Sequence, residues 1–121
     1  MKIENGTDIV EISRIQKDIE KLGEKFLNRI YTKQEIEYCE TKKKQKYSSY
    51  AARFAAKEAI YKALSSYIKT DYTWKDFEIL NDEKGKPYVN LGMKIEELNS
   101  LNITLSHSRE YAVANAIAIF R

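Results

Sequence analysis

The 121-residue chain lacks most features that mark secreted, zinc-stabilised or membrane proteins. Its single cysteine, Cys39, excludes an internal disulfide and fits a reducing compartment. With one cysteine and one histidine, there is no Cys/His cluster for structural zinc. No apolar run approaches the roughly 20 residues that a membrane span requires, and the first residues lack the apolar centre of a secretory signal. We therefore expect a soluble cytoplasmic protein without a membrane partner.

Strong charge of one sign and the common nucleotide-binding loops are also missing. The 21 basic and 18 acidic side chains give a net charge of +3, which does not require nucleic acid but favours an acidic partner. Neither GxGxxG nor GxxxxGK[ST] occurs. The hydrophobic share of 43% is typical of a globular chain, and we expect one domain that spans residues 1–121.

The most informative stretch is RFAAKEAIYKAL, Arg53–Leu64. Alanine recurs along it, and neither Gly nor Pro occurs between residues 47 and 67, which predicts a long, closely packed central helix. On such a helix Glu58 and Lys62 share one face. Two interpretations remain open: an ordinary exposed ion pair, or a carboxylate that holds a metal beside an amine that meets a phosphate.

The first 23 residues predict a strand followed by a helix. We expect a strand over Ile3–Ile12, then a helix capped by Ser13 with Gln16 and ended by Gly23. A basic stripe on this helix is either a solvated face or a docking surface for an acidic partner. It consists of Arg14, Lys17 and Lys21.

The next segments predict a connection, a helix and a basic turn. Phe26–Tyr31 is expected to be a short apolar connection. The sequence TKQE, Thr32–Glu35, has the capping-box pattern and opens a helix through about Glu40. The lysine run at 42–46 is either a solvated turn or a phosphate clamp, and the sequence does not choose among its four lysines.

The second half predicts strands. Phe77–Leu80 and Pro87–Leu91 form a hairpin, a short helix covers Met93–Leu98, and alternating residues predict strands at Ile103–His107 and Glu110–Phe120. Alanines on one side of the last strand indicate that another element packs tightly there. The fold class is α+β, with helices in the first half around the central helix, packed on a mainly antiparallel sheet.

Four side chains are candidates for chemistry. They are Asp8, Glu58, Lys62 and His107. Carboxylates from two separate elements can share Mg²⁺, whose remaining ligands are then waters and substrate phosphate oxygens. A lysine one helical turn from the carboxylate would neutralise charge as a phosphate bond breaks.

Five segments in order cover nearly the whole chain: GTDIVEISRI (Gly6–Ile15), TKQE (Thr32–Glu35), RFAAKEAIYKAL (Arg53–Leu64), GKP (Gly85–Pro87) and SHSREYAVA (Ser106–Ala114). Together they resemble the holo-[acyl-carrier-protein] synthases, the small bacterial type of phosphopantetheinyl transferase. The resemblance implies transfer of 4'-phosphopantetheine from coenzyme A to a serine of apo-acyl carrier protein, with Mg²⁺ as cofactor. It also implies a homotrimer with active sites between subunits.

The resemblance also assigns residues. The family's metal carboxylates match Asp8 and Glu58, and its phosphate-contacting lysine matches Lys62; these three are the predicted catalytic residues. The predicted coenzyme A contacts are Arg53, Lys62, Lys86, Pro87, His107 and Ser108. The family docks its acidic carrier protein on the basic first helix, which here carries Arg14, Lys17 and Lys21. The catalytic base stays open between a metal-bound water and a nearby carboxylate.

One departure and three alternatives accompany this interpretation. The family has a glycine-containing turn after the KAL segment, where this chain has Ser65–Ile68, so backbone contacts of that turn are in doubt. The alternatives are a nucleic-acid-binding module, a catalytically silent relative and a transferase for peptidyl carriers. The balanced charge speaks against the first, the intact candidate residues against the second and the short chain against the third.

Overall fold

A computed structural model describes residues 1–121. In chain order, the elements are β1 (Lys2–Glu11), α1 (Ile12–Leu22), α2 (Glu24–Ile30), α3 (Lys33–Glu40), α4 (Lys46–Leu64), β2 (Phe77–Asn81), β3 (Pro87–Leu91), β4 (Leu98–His107) and β5 (Tyr111–Phe120). The strands form a three-stranded sheet of order β1-β5-β4 and a separate β2-β3 hairpin, all antiparallel. The predicted α+β class is confirmed. No helix has the length and apolar character needed to cross a membrane.

Helix α4 lies at the centre of the molecule. Twelve of its 19 residues are buried, because it packs on the large sheet on one side and under α1 and α3 on the others. Its small side chains face those of β5, where the four alanines at 112, 114, 116 and 118 are all buried. Small residues on both partners let the helix backbone approach the sheet closely. The element that packs on the alanine face of the last strand is therefore α4 of the same chain.

The junction between β1 and α1 differs from the prediction. The strand ends at Glu11 and the helix begins at Ile12, so Ser13 lies inside the first turn and the helix start has no side-chain cap. The prediction of a capping box formed by Ser13 and Gln16 was therefore wrong. The buried Ile12 is held instead by its backbone N–H, which donates to the carbonyl oxygen of Glu110 at 2.8 Å. Gly23 does end the helix, with φ 58°.

Two further segments were predicted wrongly. Phe26–Tyr31 is not a connection, because Glu24–Ile30 forms helix α2 and buries Phe26 and Ile30 one turn apart. Met93–Leu98 is not a helix, because the chain enters β4 at Leu98. Leu98 pairs there with Phe120 of β5, and this pairing at the sheet end outweighs the local helical preference.

The capping box and the hairpin are confirmed. Thr32 Oγ1 accepts from the Glu35 N–H at 3.3 Å, and Glu35 Oε1 accepts from the Thr32 N–H at 2.8 Å. In the hairpin turn, Asp82 Oδ1 accepts from the N–H groups of Lys84 and Lys86, and Gly85 takes the positive φ of 84° that the turn requires.

A fully buried ion pair joins the helices to the hairpin. Lys57 Nζ lies 2.8 Å from Glu35 Oε1, with both side chains inaccessible to solvent. The ammonium also donates to the carbonyl oxygens of Trp74 (3.2 Å) and Phe77 (3.0 Å). The other Glu35 oxygen accepts from the N–H of Ile79 at 2.8 Å. Burial lowers the pKa of Lys57, while the Glu35 carboxylate opposes that shift. Lys57 is thus part of the core.

Candidate active site

Gly6 positions the first candidate carboxylate. It lies on the buried face of β1, and a Cβ there would sit 1.8 Å from the carbonyl oxygen of Ala59 in α4. The strand backbone therefore rests directly on the helix backbone, which only a glycine allows. Asp8 follows two residues later on the same face of the strand, where it meets the part of α4 that carries Glu58 and Lys62.

Lys62 joins the strand to the helix. Its Nζ donates to the carbonyl oxygen of Thr7 at 2.8 Å and lies 3.3 Å from Asp8 Oδ1. The Lys62 side chain is half exposed, at 50%. It pairs with Asp8 of β1 rather than with Glu58 of its own helix, so the interpretation as an ordinary ion pair within α4 does not hold.

The pKa of Glu58 is raised, and the neighbouring carboxylate of Asp8 contributes to this rise. Partial burial raises its pKa first, and the negative charge of Asp8 raises it further. The positive charges of Lys62 and Arg14 oppose the rise. A cation shared by Asp8 and Glu58 would remove the repulsion between them.

The donor set fits a hard divalent cation with an open coordination sphere. Two carboxylates suit Mg²⁺, which binds few protein ligands and completes its octahedron with water and substrate phosphate oxygens. The structure has no group of three or more His, Cys, Asp or Glu residues that could enclose a metal. Asp8 and Glu58 therefore fit a metal site that needs a substrate to complete it.

A basic cavity of about 510 Å³ lies between α4, the hairpin turn and the end of β4. Its wall includes Lys42, Arg53, Asn81, Pro87 and His107. Three of the predicted coenzyme A contacts, Arg53, Pro87 and His107, are thus brought together. Two others, Lys86 and Ser108, are exposed and do not line the cavity.

Arg53 is held rigidly in this basic cavity. It is 97% buried, its guanidinium lies 4.3 Å from the centroid of the Tyr38 ring, and it donates to Ser49 Oγ at 3.3 Å and to Asn81 Oδ1. Its Nε is buried without a hydrogen-bond partner. Such a fixed, incompletely paired cation is suited to an anionic ligand.

Among the four lysines of the run, the geometry separates Lys42 from the others. Lys42 lines the basic cavity, and its Nζ lies 4.7 Å from the centroid of the Tyr38 ring. Lys46 is engaged with Glu40 at 3.4 Å. Sequence reasoning missed Tyr38, Ser49 and Asn81, because no motif marks them. Ser49 lies one helical turn before Arg53, whereas only the fold brings Tyr38 and Asn81 to it.

The basic stripe of α1 begins beside the carboxylate pair. Arg14, Lys17 and Lys21 are all exposed. The Arg14 guanidinium lies 5.7 Å from the centroid of the Phe54 ring, and its charge reaches Glu58. An acidic partner on this stripe would therefore be next to Asp8 and Glu58.

A second, aromatic cleft of about 290 Å³ opens at Glu58. Its lining consists of Glu58, Tyr61, Tyr72, Thr73, Trp74 and Phe77. It has no lining residue in common with the basic cavity. Neither Tyr61 nor Tyr72 was singled out from the sequence, since their proximity depends on how the segment after α4 folds back.

The outer face of the large sheet is apolar and exposed. Its exposed large apolar residues on β1 and β5 are Ile3, Ile9, Tyr111, Val113 and Ile117, with the polar Asn5, Thr7 and Asn115 between them. Among them, Thr7 Oγ1 donates to Asn115 Oδ1 at 2.8 Å. Exposed apolar side chains grouped on one face of a sheet in this way indicate an interaction surface.

Comparisons with known proteins all indicate the same family. The model of the 4'-phosphopantetheinyl transferase superfamily matches residues 4–116. The chain is 48% identical over 118 residues to a holo-[acyl-carrier-protein] synthase of Ruminiclostridium cellulolyticum, covering 93% of this chain and 88% of that protein. It is 46% identical over 115 residues to one from Protochlamydia amoebophila, covering 93% of each.

Solved structures agree with these sequence matches. The fold is similar to the Helicobacter pylori holo-[acyl-carrier-protein] synthase in complex with coenzyme A, with a TM-score of 0.82, 34% identity and coverage of 95% of this chain and 99% of that one. It is also similar to the Bacillus anthracis holo-(acyl-carrier-protein) synthase in complex with CoA (3',5'-ADP), with a TM-score of 0.78, 34% identity and coverage of 95% and 94%.

Proposed function

This chain belongs to the 4'-phosphopantetheinyl transferase superfamily, and we propose that within it the protein acts as a holo-[acyl-carrier-protein] synthase. It transfers 4'-phosphopantetheine from coenzyme A to a serine of apo-acyl carrier protein and releases adenosine 3',5'-bisphosphate, in support of fatty acid biosynthesis. The observation that carries this proposal is the convergence of Asp8, Glu58 and Lys62 from β1 and α4 at one place.

Asp8 and Glu58 are proposed to hold Mg²⁺. When bound, Mg²⁺ supplies charge neutralisation and orientation of the coenzyme A pyrophosphate. The contact of Gly6 with α4 and the Lys62 bridge hold Asp8 against the helix that carries Glu58, which supports this proposal. The raised pKa of Glu58 is consistent with a site that is relieved when a cation enters.

Lys62 is proposed to stabilise the departing phosphate. Its ammonium is half exposed and held at Thr7 and Asp8, so it can donate a third hydrogen bond to an incoming phosphate oxygen. The basic cavity is proposed to bind the nucleotide phosphates through Arg53, Lys42 and His107. Pro87, which lines this cavity, and the exposed Lys86 and Ser108 remain proposed coenzyme A contacts. The carrier protein is proposed to dock on Arg14, Lys17 and Lys21, next to Glu58.

The assembly is proposed to be a homotrimer with active sites between subunits. Support comes from the apolar outer face of the large sheet, defined above by Ile3, Ile9, Tyr111, Val113 and Ile117. Two inactive variants, Glu58→Gln and Arg53→Ala, should partly restore turnover when co-assembled, because one mixed interface would hold both intact half-sites. We further propose a single domain over residues 1–121 and a cytoplasmic location.

The experiment that tests the function is the intact mass of apo-acyl carrier protein after incubation with this protein, coenzyme A and Mg²⁺. The expected result is a gain of one phosphopantetheine, absent from a carrier whose acceptor serine is replaced by alanine. No gain across several carriers, by a folded protein that still binds coenzyme A, would overturn the proposal in favour of a catalytically silent relative.

A further inference from the structure

Two cations of the basic cavity share one aromatic ring. The Arg53 guanidinium carbon lies 4.3 Å from the centroid of the Tyr38 ring, and the Lys42 Nζ lies 4.7 Å from the same point. The face of an aromatic ring carries partial negative charge, so it attracts a cation that lies over it. The Tyr38 ring therefore offsets part of the repulsion between two like charges that the fold brings together.

No carboxylate competes with the ring for these two cations. Neither Lys42 nor Arg53 forms an ion pair with an acidic side chain, and no Asp or Glu lines the basic cavity. The side-chain hydrogen bonds of Arg53 go to the uncharged Ser49 and Asn81. The cavity thus keeps its positive charge for an anionic ligand, and the Tyr38 ring is the group over which both cations lie.

Tyr38 is itself held in place by the core. It lies on α3 one turn after Glu35, whose carboxylate accepts from Lys57 Nζ of α4 at 2.8 Å. This buried bond fixes α3 against the helix that carries Arg53. Lys42, by contrast, is exposed and follows the end of α3, where a lysine side chain ordinarily samples many rotamers. A fixed ring that attracts Lys42 keeps its ammonium at the cavity before a ligand arrives, which lowers the entropic cost of binding.

We propose that Tyr38, which lies outside every motif of the sequence, is a positioning residue that makes the basic cavity selective for the 3'-phosphate of coenzyme A through Arg53 and Lys42. The inference rests on the function proposed above. With the pyrophosphate of coenzyme A at Asp8 and Glu58, the phosphate on the 3' position of the ribose is left for the basic cavity. A phosphate monoester carries nearly two negative charges at neutral pH, so it gains from two cations held close together.

Binding of two nucleotides tests this assignment without any turnover. Isothermal titration calorimetry would compare adenosine 3',5'-bisphosphate with adenosine 5'-monophosphate, which lacks the 3'-phosphate. Tyr38→Leu should weaken binding of the bisphosphate by roughly tenfold, the effect of about 1.4 kcal/mol, and leave binding of the monophosphate unchanged. An equal loss for both nucleotides would mean that Tyr38 supports the fold or the base, and it would overturn the assignment.

Variants of the ring separate its charge distribution from its shape. Tyr38→Phe keeps the negative ring face and should bind the bisphosphate as tightly as the unmodified protein does. Pentafluorophenylalanine at position 38 keeps the ring shape but withdraws charge from its face, so it should lose affinity as Tyr38→Leu does. Retained affinity with the fluorinated ring, or lost affinity in Tyr38→Phe, would overturn the cation–π role. Because the fluorinated ring keeps the shape of the side chain, this comparison decides the question even where Tyr38→Leu does not fold.

Tyr47→Leu is the matched control. Tyr47 is also partly buried, and its ring also lies near a cation, with the Lys46 Nζ 5.3 Å from its centroid. Neither Tyr47 nor Lys46 lines the basic cavity. The control variant should leave the affinity for both nucleotides unchanged. A loss equal to that of Tyr38→Leu would mean that both changes act through the fold, and it would overturn the assignment.

The kinetic counterpart distinguishes this proposal from the proposed function. Coenzyme A and 3'-dephospho-coenzyme A would be compared as donors, and Tyr38→Leu should raise the KM for coenzyme A by roughly tenfold while kcat and the KM for the dephospho donor stay unchanged. An unchanged preference between the two donors, with normal transfer to the carrier, would overturn the role of Tyr38 and leave the transferase function standing. Absence of any transfer by the unmodified protein would overturn the function, and the nucleotide titrations would still decide the role of Tyr38.

Discussion

Replacing Gly6 with alanine is the most informative perturbation, because it acts on the contact that places Asp8. The added Cβ would lie 1.8 Å from the Ala59 carbonyl oxygen, 2.9 Å from the Ala59 carbonyl carbon and 3.0 Å from the Ala63 nitrogen. All three are helix backbone atoms, so no side chain can rotate away. The strand and the helix must separate.

The required movement can be worked from the contact. To bring the shortest distance from 1.8 Å to 3.0 Å, the closest approach that real Cβ atoms show, β1 must move by 3.0 − 1.8 = 1.2 Å. Displacements of about 1 Å at reacting groups cost about 100-fold in rate. Overpacking of this kind costs about 1–3 kcal/mol of folding free energy. We therefore expect a folded protein with about 100-fold lower turnover.

The assay compares initial rates of carrier modification with thermal unfolding of the same samples. Gly23→Ala is the matched control: Gly23 has a positive φ of 58° but open space around it. It should lose about 1–3 kcal/mol of stability from backbone strain, with turnover unchanged well below its unfolding temperature. Full turnover in Gly6→Ala would refute the view that this close contact positions Asp8.

Three further predictions follow from the same structure. Glu58→Gln should keep the fold and lose about 100-fold or more of Mg²⁺-dependent turnover, since even outer partners of metal ligands are worth about 10- to 100-fold; near-normal turnover would remove Glu58 from the metal site. Lys17→Glu with Lys21→Glu should raise the carrier KM and flatten its salt dependence without moving the coenzyme A KM; a change in the coenzyme A KM alone would contradict docking on α1. Burial raises the pKa of Cys39 from 9.0 to about 11, so its native thiol should resist alkylation by iodoacetamide and react on unfolding. Because the unfolded thiol ionises first, urea-unfolding stability should fall between about pH 9 and 11, and Cys39→Ala should lack that component.

Elements with strong local signals were predictable. The alanine-rich run predicted α4 to within a few residues, since helix propensity and burial favour the same state there. The TKQE capping box predicted the start of α3, because both hydrogen bonds lie within four residues. The ordered motifs identified the family without any structure.

The errors and omissions have a common physical cause. Ser13 fails as a cap because a backbone bond from Ile12 to Glu110, nearly a hundred residues away in the chain, fixes the start of α1. The Glu35–Lys57 pair and the walls of both cavities likewise join segments distant in sequence. Such contacts depend on the assembled fold, and local patterns do not encode them.

The measurement that tests the central claim most directly follows both products of one reaction. The protein is incubated with coenzyme A and apo-acyl carrier protein, with Mg²⁺ or with EDTA, and holo-carrier and adenosine 3',5'-bisphosphate are quantified in the same sample. We expect the two products in equal amounts with Mg²⁺ and neither with EDTA. Holo-carrier formed equally well in EDTA, or adenosine bisphosphate released without modified carrier, would contradict metal-dependent transfer at Asp8 and Glu58.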